Sequence, residues 1–94
     1  SKMGIIRKAK NLLPNEEFVV SNTSLGIAVI SSNSSGNTGL YIVSASGVIK
    51  ITETSNNFSS QIAVSTVDGG GIKVTNIHSV SRYVEVVIIA NNGR

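Results

Sequence analysis

Groups able to do chemistry are few in this chain and widely spaced. His78 is the only histidine and cysteine is absent, which excludes a thiolate nucleophile, a disulfide framework and a multi-histidine or thiolate metal site. A His-based triad would lack partners, and Ile77-His78-Ser79 stands at the end of an extended segment, where a solvated polar residue is ordinary. The acidic residues are equally dispersed. Glu16 and Glu17 adjoin Pro14 at a turn, while Glu53, Asp68 and Glu85 stand on other segments. Glu53 with Glu85 is the pairing that leaves a glycosidase-like couple open, against the plainer reading of two solvated side chains. "VDGGGIKV" (67–74) has the glycine density of a phosphate-cradling loop, yet a strand follows it rather than the helix whose N-terminus would hold the anion. Asp68, Gly69, Gly70 and Gly71 therefore read as a hairpin turn that uses glycine's access to positive φ. No catalytic, cofactor-binding or metal-binding residue is expected.

What remains is uncharged. The polar run 31–37 and the connector 55–57 offer hydroxyl and amide groups able to bind sugars, which makes Ser32, Asn33, Ser34, Asn37, Asn56 and Asn57 the candidate ligand residues. An inert solvated loop is the competing reading. A third reading, nucleic-acid binding through Arg7, Lys8 and Lys10, lacks the aromatic side chains beside the cluster on which bases would stack. No nucleic-acid partner is expected.

The elements that must position these groups are strands. Ile and Val each occur 12 times, and branching at Cβ suits pleated sheet better than helix. Asp, Glu, Lys and Arg are only 14% of the 94 residues and the formal charge is +3. Four of the eight basic residues (Lys2, Arg7, Lys8, Lys10) crowd into the first ten positions, so the body is near neutral. No run approaches the roughly 20 apolar residues of a membrane span. The length suits a single domain, 1–94, with modest burial and no disulfide to staple it, which leaves oligomerisation as the available staple.

Alternation and turn residues place eight extended segments at about 4–12, 16–21, 25–31, 38–44, 47–54, 60–66, 71–77 and 82–90. The connectors are too short for crossover helices. The fold class is all-β, an antiparallel β-sandwich or jelly roll of about eight short strands. The first segment also fits a helical stripe (Ile5, Ile6, Ala9, Leu12, Leu13) ended by Pro14, so strand and helix both stay open there.

Period two assigns Ile27 and Val29, Leu40 and Ile42, Ile49 and Ile51, Ile62 and Val64, Ile72 and Val74, and Val84, Val86 and Ile88 to the core. Two segments carry apolar residues on the opposite face as well: Ala28 and Ile30, and Val87 and Ile89. Burying a Val or Ile is worth about 1.5 to 3 kcal/mol, so this surplus predicts a subunit interface at Ala28, Ile30, Val87 and Ile89. The alternative is a central sandwich strand covered by loops.

Residues 11–90 resemble the small β-rich modules of bacteriophage tail fibres and receptor-binding proteins. The likeness rests on the Leu-Pro turn into an extended segment (Leu13-Pro14-Asn15-Glu16-Glu17-Phe18-Val19-Val20), the Gly-led apolar strand Gly26-Ile27-Ala28-Val29-Ile30, "GLYIVSASGVIKI" (39–51) and "GIKVTNIHSVSRYVEVVII" (71–89). The resemblance implies a non-enzymatic virion structural or host-recognition module of a phage tail. It would act as a homotrimer on a bacterial surface glycan or protein, located in the virion or outside the cell. The alternative is a carbohydrate-binding module of a secreted bacterial protein.

Overall fold

The computed structural model describes residues 3–21, 25–68 and 70–91. Strands form where β-branched residues alternate with hydroxyl-bearing or charged ones: β1 (Met3–Leu12), β2 (Glu17–Ser21), β3 (Leu25–Ser32), β4 (Ser34–Ser44), β5 (Gly47–Glu53), β6 (Ile62–Thr66), β7 (Gly71–Asn76) and β8 (Arg82–Asn91). One short helix, α1 (Asn56–Gln61), lies between β5 and β6. Every pairing is antiparallel. The strands build a five-stranded sheet, β1-β8-β3-β4-β5, and a three-stranded sheet, β2-β7-β6. The chain is an all-β antiparallel sandwich. Its terminal ribbons nest in jelly-roll manner, β1 with β8 in one sheet and β2 with β7 in the other, while the hairpins β3-β4-β5 and β6-β7 each stay within one sheet.

The first segment is strand over its whole length, paired with β8 from Met3↔Asn91 to Leu12↔Arg82. Pro14 marks the crossing between sheets. Asn15 adopts φ 67°, a left-handed conformation asparagine tolerates, and the Glu16 amide donates to the Leu13 carbonyl at 2.9 Å. The Leu13 amide in turn donates to Glu16 Oε1 at 2.9 Å and holds that carboxyl below its usual range, with Lys10 adding to the effect.

The core lies between the sheets. From the small sheet come Phe18, Val20, Ile62, Ile72 and Val74, and from the large one Leu12, Ala28, Ile30, Tyr41, Val43, Val84, Val86, Ile88 and Ala90. Strands β6, β7 and β8 bury the faces that period two selects.

Strands β3, β4 and β5 are turned the other way. Ala28 and Ile30 are 0% exposed because register places them opposite Ile88 and Val86 on the inner face; they are core residues and unavailable to any subunit interface. Ile27 and Val29 point outward instead, opposite Ile89 and Val87. Likewise Tyr41 and Val43 are buried while Ile42, Ile49 and Ile51 are exposed. Because β3 is apolar on both faces, its alternation does not fix which face turns inward; pairing with β8 does, and Gly26 lets the two backbones come close. A Cβ on Gly26 would lie 2.5 Å from the Ile89 carbonyl oxygen, a distance that admits no side chain. The apolar surplus is real, but on β3 it belongs to Ile27 and Val29.

The five-stranded sheet is wider than its partner, and α1 covers the remainder. Phe58 is fully buried, its ring 6.3 Å from that of Tyr41 at a tilt of 56°. Gly39 lies beneath it, where a Cβ would come within 2.8 Å of the Phe58 ring. Glu53 accepts from Lys50 Nζ and from the Ser59 hydroxyl, which ties edge strand β5 to the helix and lowers the Glu53 carboxyl from its ordinary value.

Burial pushes the Tyr41 hydroxyl up to about 12 from 10.0, with the charge on Glu53 adding to the rise. The fold therefore holds the neutral phenol, and a raised acid constant means stability is intact below the unfolded value and lost as pH climbs through the folded one. Between about pH 10 and 12 the protein should therefore lose stability on this account. Urea titrations across that range check it: the decline should shrink in Tyr41→Phe, and an equal decline in both proteins would assign it to other groups.

Candidate functional site

The polar run 31–37, expected as a loop, is strand on either side of Asn33, since β3 runs to Ser32 and β4 starts at Ser34, and Asn56 and Asn57 belong to α1; the two stretches meet at one end of the sandwich. At the β3–β4 turn Asn33 takes φ 62° and clamps the start of β8 in both directions: its amide donates to the Tyr83 carbonyl at 2.8 Å, and the Tyr83 amide donates to Asn33 Oδ1 at 2.7 Å. The Ser55 hydroxyl donates to Asn37 Oδ1 at 3.1 Å, the Thr54 hydroxyl to the Gly36 carbonyl, and the Thr38 amide to Thr54 Oγ1 at 3.0 Å. These bonds stitch the region around 36–38 to 54–55 and present Asn57, on α1, at the same end. Asn33 and Asn57 are exposed and Asn37 is half-buried.

Ser32 is a correction to the candidate set. It faces the core with 0% exposure, and its hydroxyl donates to Gln61 Oε1 at 3.4 Å, so it braces α1 rather than meeting a ligand. The side chains of Ser34 and Asn56 lie outside the described residues. Tyr83 is the residue that sequence reasoning passed over. It is 51% exposed on the outer face of β8, fixed at its backbone by Asn33. The signal available was its place opposite Val84 in the alternation, which sends a large aromatic away from the core.

Groups elsewhere are spoken for structurally. Asn76 is buried and fully bonded: Nδ2 donates to the carbonyls of Leu12 at 2.9 Å and Val80 at 3.0 Å, and Oδ1 accepts the His78 amide at 2.9 Å. The His78 ring accepts the Val80 amide at Nδ1, 3.1 Å, which places its proton on Nε2, and Arg82 Nη2 stands 3.4 Å from both ring nitrogens. That arrangement holds a turn. Glu53 and Glu85 stand on β5 and β8, three strand spacings apart, about 14 Å and beyond the about 5 to 9.5 Å of a glycosidase couple. Among the described residues no group of three or more His, Asp or Glu could hold a metal ion.

Of the glycine run, Gly70 and Gly71 belong to a hairpin turn, and Gly69 lies outside the described residues. Gly70 and Gly71 have φ 99° and 114°, and the Gly70 amide donates to the Val67 carbonyl at 3.0 Å. Beside it lies an open polar groove of about 390 Å³ lined by Glu17, Val19, Thr66, Val67, Asp68 and Lys73, across which Lys73 pairs with Glu17 at 4.0 Å. The basic cluster is split by strand alternation. Arg7 takes the outer face, paired with Val87, whereas Lys8 donates to the Val19 carbonyl at 2.8 Å over the Phe18 ring and Lys10 pairs with Glu16 at 3.5 Å. Both lysines close the sandwich edge between β1 and β2. No helix of the described residues is long and apolar enough to cross a membrane.

Fold and site together define a small antiparallel sandwich that presents an uncharged, aromatic-bearing loop end. Comparison with protein families, with curated proteins and with solved structures finds no match to this chain.

Proposed function

We propose that the chain is a non-enzymatic host-recognition module of a bacteriophage tail, carried in an oligomeric assembly and binding a bacterial surface glycan through its loop end. The observation that carries this reading is the polar end of the sandwich, where Asn33 holds the start of β8, which bears the exposed Tyr83, and Asn37 is bonded to Ser55 beside α1. An aromatic face supplies apolar contact with a polar handle, and the amide side chains at the same end offer hydrogen-bonding groups, a combination suited to a neutral, hydroxyl-rich ligand. Loops on a rigid scaffold carry recognition without burdening the fold.

The exposed Tyr83 favours a second reading equally, a carbohydrate-binding module of a secreted bacterial protein. Adsorption to whole bacterial cells, compared with binding to purified polysaccharides, separates the two. In either case Tyr83→Ala combined with Asn57→Ala should reduce binding at least tenfold, while circular dichroism and molar mass stay unchanged. Unchanged binding by the double variant would remove the loop end as the recognition site.

A further inference from the structure

The outer face of the five-stranded sheet carries a row of five isoleucines, one per strand. Register aligns them as Ile5↔Ile89, Ile89↔Ile27, Ile27↔Ile42 and Ile42↔Ile49, and each is between 42% and 65% exposed. The next row toward the loop end, Arg7, Val87, Val29, Leu40 and Thr52, is apolar at its centre. We infer that this face is closed by a second copy of the same chain, packed sheet against sheet about a two-fold axis that runs along β3 through Ile27. The inference deepens the assembly part of the reading above and rests on it, but is independent of what the loops bind.

Three observations point to a second copy rather than to an unrelated partner. The row reads the same in both directions from Ile27, so a two-fold along β3 seats Ile5 over the partner's Ile49 and Ile89 over the partner's Ile42. Such self-complementarity is the condition for an isologous contact, and it needs the strands of the two sheets to run nearly aligned, as face-to-face packing prefers. The same axis sets the charged residues of the face against neutral ones: Arg7 over the partner's Thr52, and Glu85 over the partner's Thr38. Finally, five strands about 4.8 Å apart and some 30 Å long offer on the order of 700 Å², close to the about 800 Å² per partner of a stable interface. Tyr83 stands on the same outer face about 20 Å along β8 from Ile89, at the margin of this area, with the Asn33 turn beside it.

Light scattering should give twice the 9.8 kDa of the chain. In Ile27→Lys the new charge enters the contact twice, once from each copy, and should weaken pairing by about a thousandfold, leaving a monomer whose circular dichroism and urea transition are those of a folded sandwich. Because the chain lacks cysteine, Ile27→Cys gives a single reactive thiol at the axis. A short bis-maleimide should couple it to its own copy, whereas Ile5→Cys should couple only when mixed with Ile49→Cys. These two coupling patterns keep the test open if Ile27→Lys fails to fold. A monomer at high micromolar concentration, a mass of three chains, or a dimer that survives Ile27→Lys would each overturn the pairing. Host or glycan binding by the unmodified chain is scored separately, so loss of the pairing and loss of the recognition reading cannot be confused.

Discussion

Ile30→Lys is expected to yield no folded protein, while Val29→Lys, one residue away, yields a sandwich whose unfolding free energy as a monomer lies within about 1 kcal/mol of the unmodified chain. Ile30 is 0% exposed and Val29 is 41% exposed. Register sets Ile30 opposite Val86 and Val29 opposite Val87, so the first lysine would place its ammonium among Val84, Val86 and Ile88 without an acceptor. An unpaired buried charge costs several kcal/mol even after relaxation, a large part of the roughly 5 to 15 kcal/mol available to a small domain. Lysine at 29 sends its charge to solvent on the outer sheet face. Far-ultraviolet circular dichroism and urea titration of the two variants read the difference directly. A folded Ile30→Lys beside an unfolded Val29→Lys would mean that β3 presents its faces the other way round.

Phe58→Ala should cost about 3 to 5 kcal/mol, the largest effect expected of a truncation in this protein. The ring is fully buried, stacks at a tilt on Tyr41 and occupies the space left by the missing Cβ of Gly39. Neither neighbour can collapse into the void, since Tyr41 belongs to a paired strand and Gly39 has no side chain to move. Loss of the ring also frees α1, whose anchor to β5 is then reduced to the contacts of Glu53 with Ser59. Urea unfolding should remain a single transition with a lowered midpoint and little change in slope. A cost below about 1 kcal/mol would show that the helix is peripheral and that the wide sheet is covered by something else.

Most strand limits were legible in the sequence because they depend on local chemistry; the exceptions are the start of β4 at Ser34, inside the polar run read as a connector, and the start of β6 at Ile62, where α1 takes residues 60 and 61. Alternation over 71–77 and 82–90, with Asp68 and the glycines between 69 and 71 as a turn, anticipates β7 (Gly71–Asn76), β8 (Arg82–Asn91) and the hairpin before them. The convergence of the loops was partly legible: both were marked as polar, but nothing local says that Asn37 meets Ser55 or that Ser32 turns inward to Gln61. Helix α1 was not legible at all. "SNNFSSQ" has no apolar stripe to bury, its N-cap Ser55 makes no side-chain capping bond, and one buried phenylalanine holds the turn against β4.

The sequence by itself determined the secondary-structure class, the positions of the strands and the existence of more apolar surface than one core can use. Each follows from side-chain branching, period and turn residues within a few positions of one another. Only the tertiary structure decided where that surplus goes. A strand that is apolar on both faces, such as Ile27-Ala28-Val29-Ile30, satisfies either orientation locally; the choice is made by partners far along the chain, where Ala28 pairs with Ile88 and Ile30 with Val86 on the inner face. The isoleucine row is likewise invisible before pairing, since its members come from both ends and the middle of the chain and become neighbours only when antiparallel register brings Ile5 to Ile89, Ile89 to Ile27, and Ile42 to Ile49.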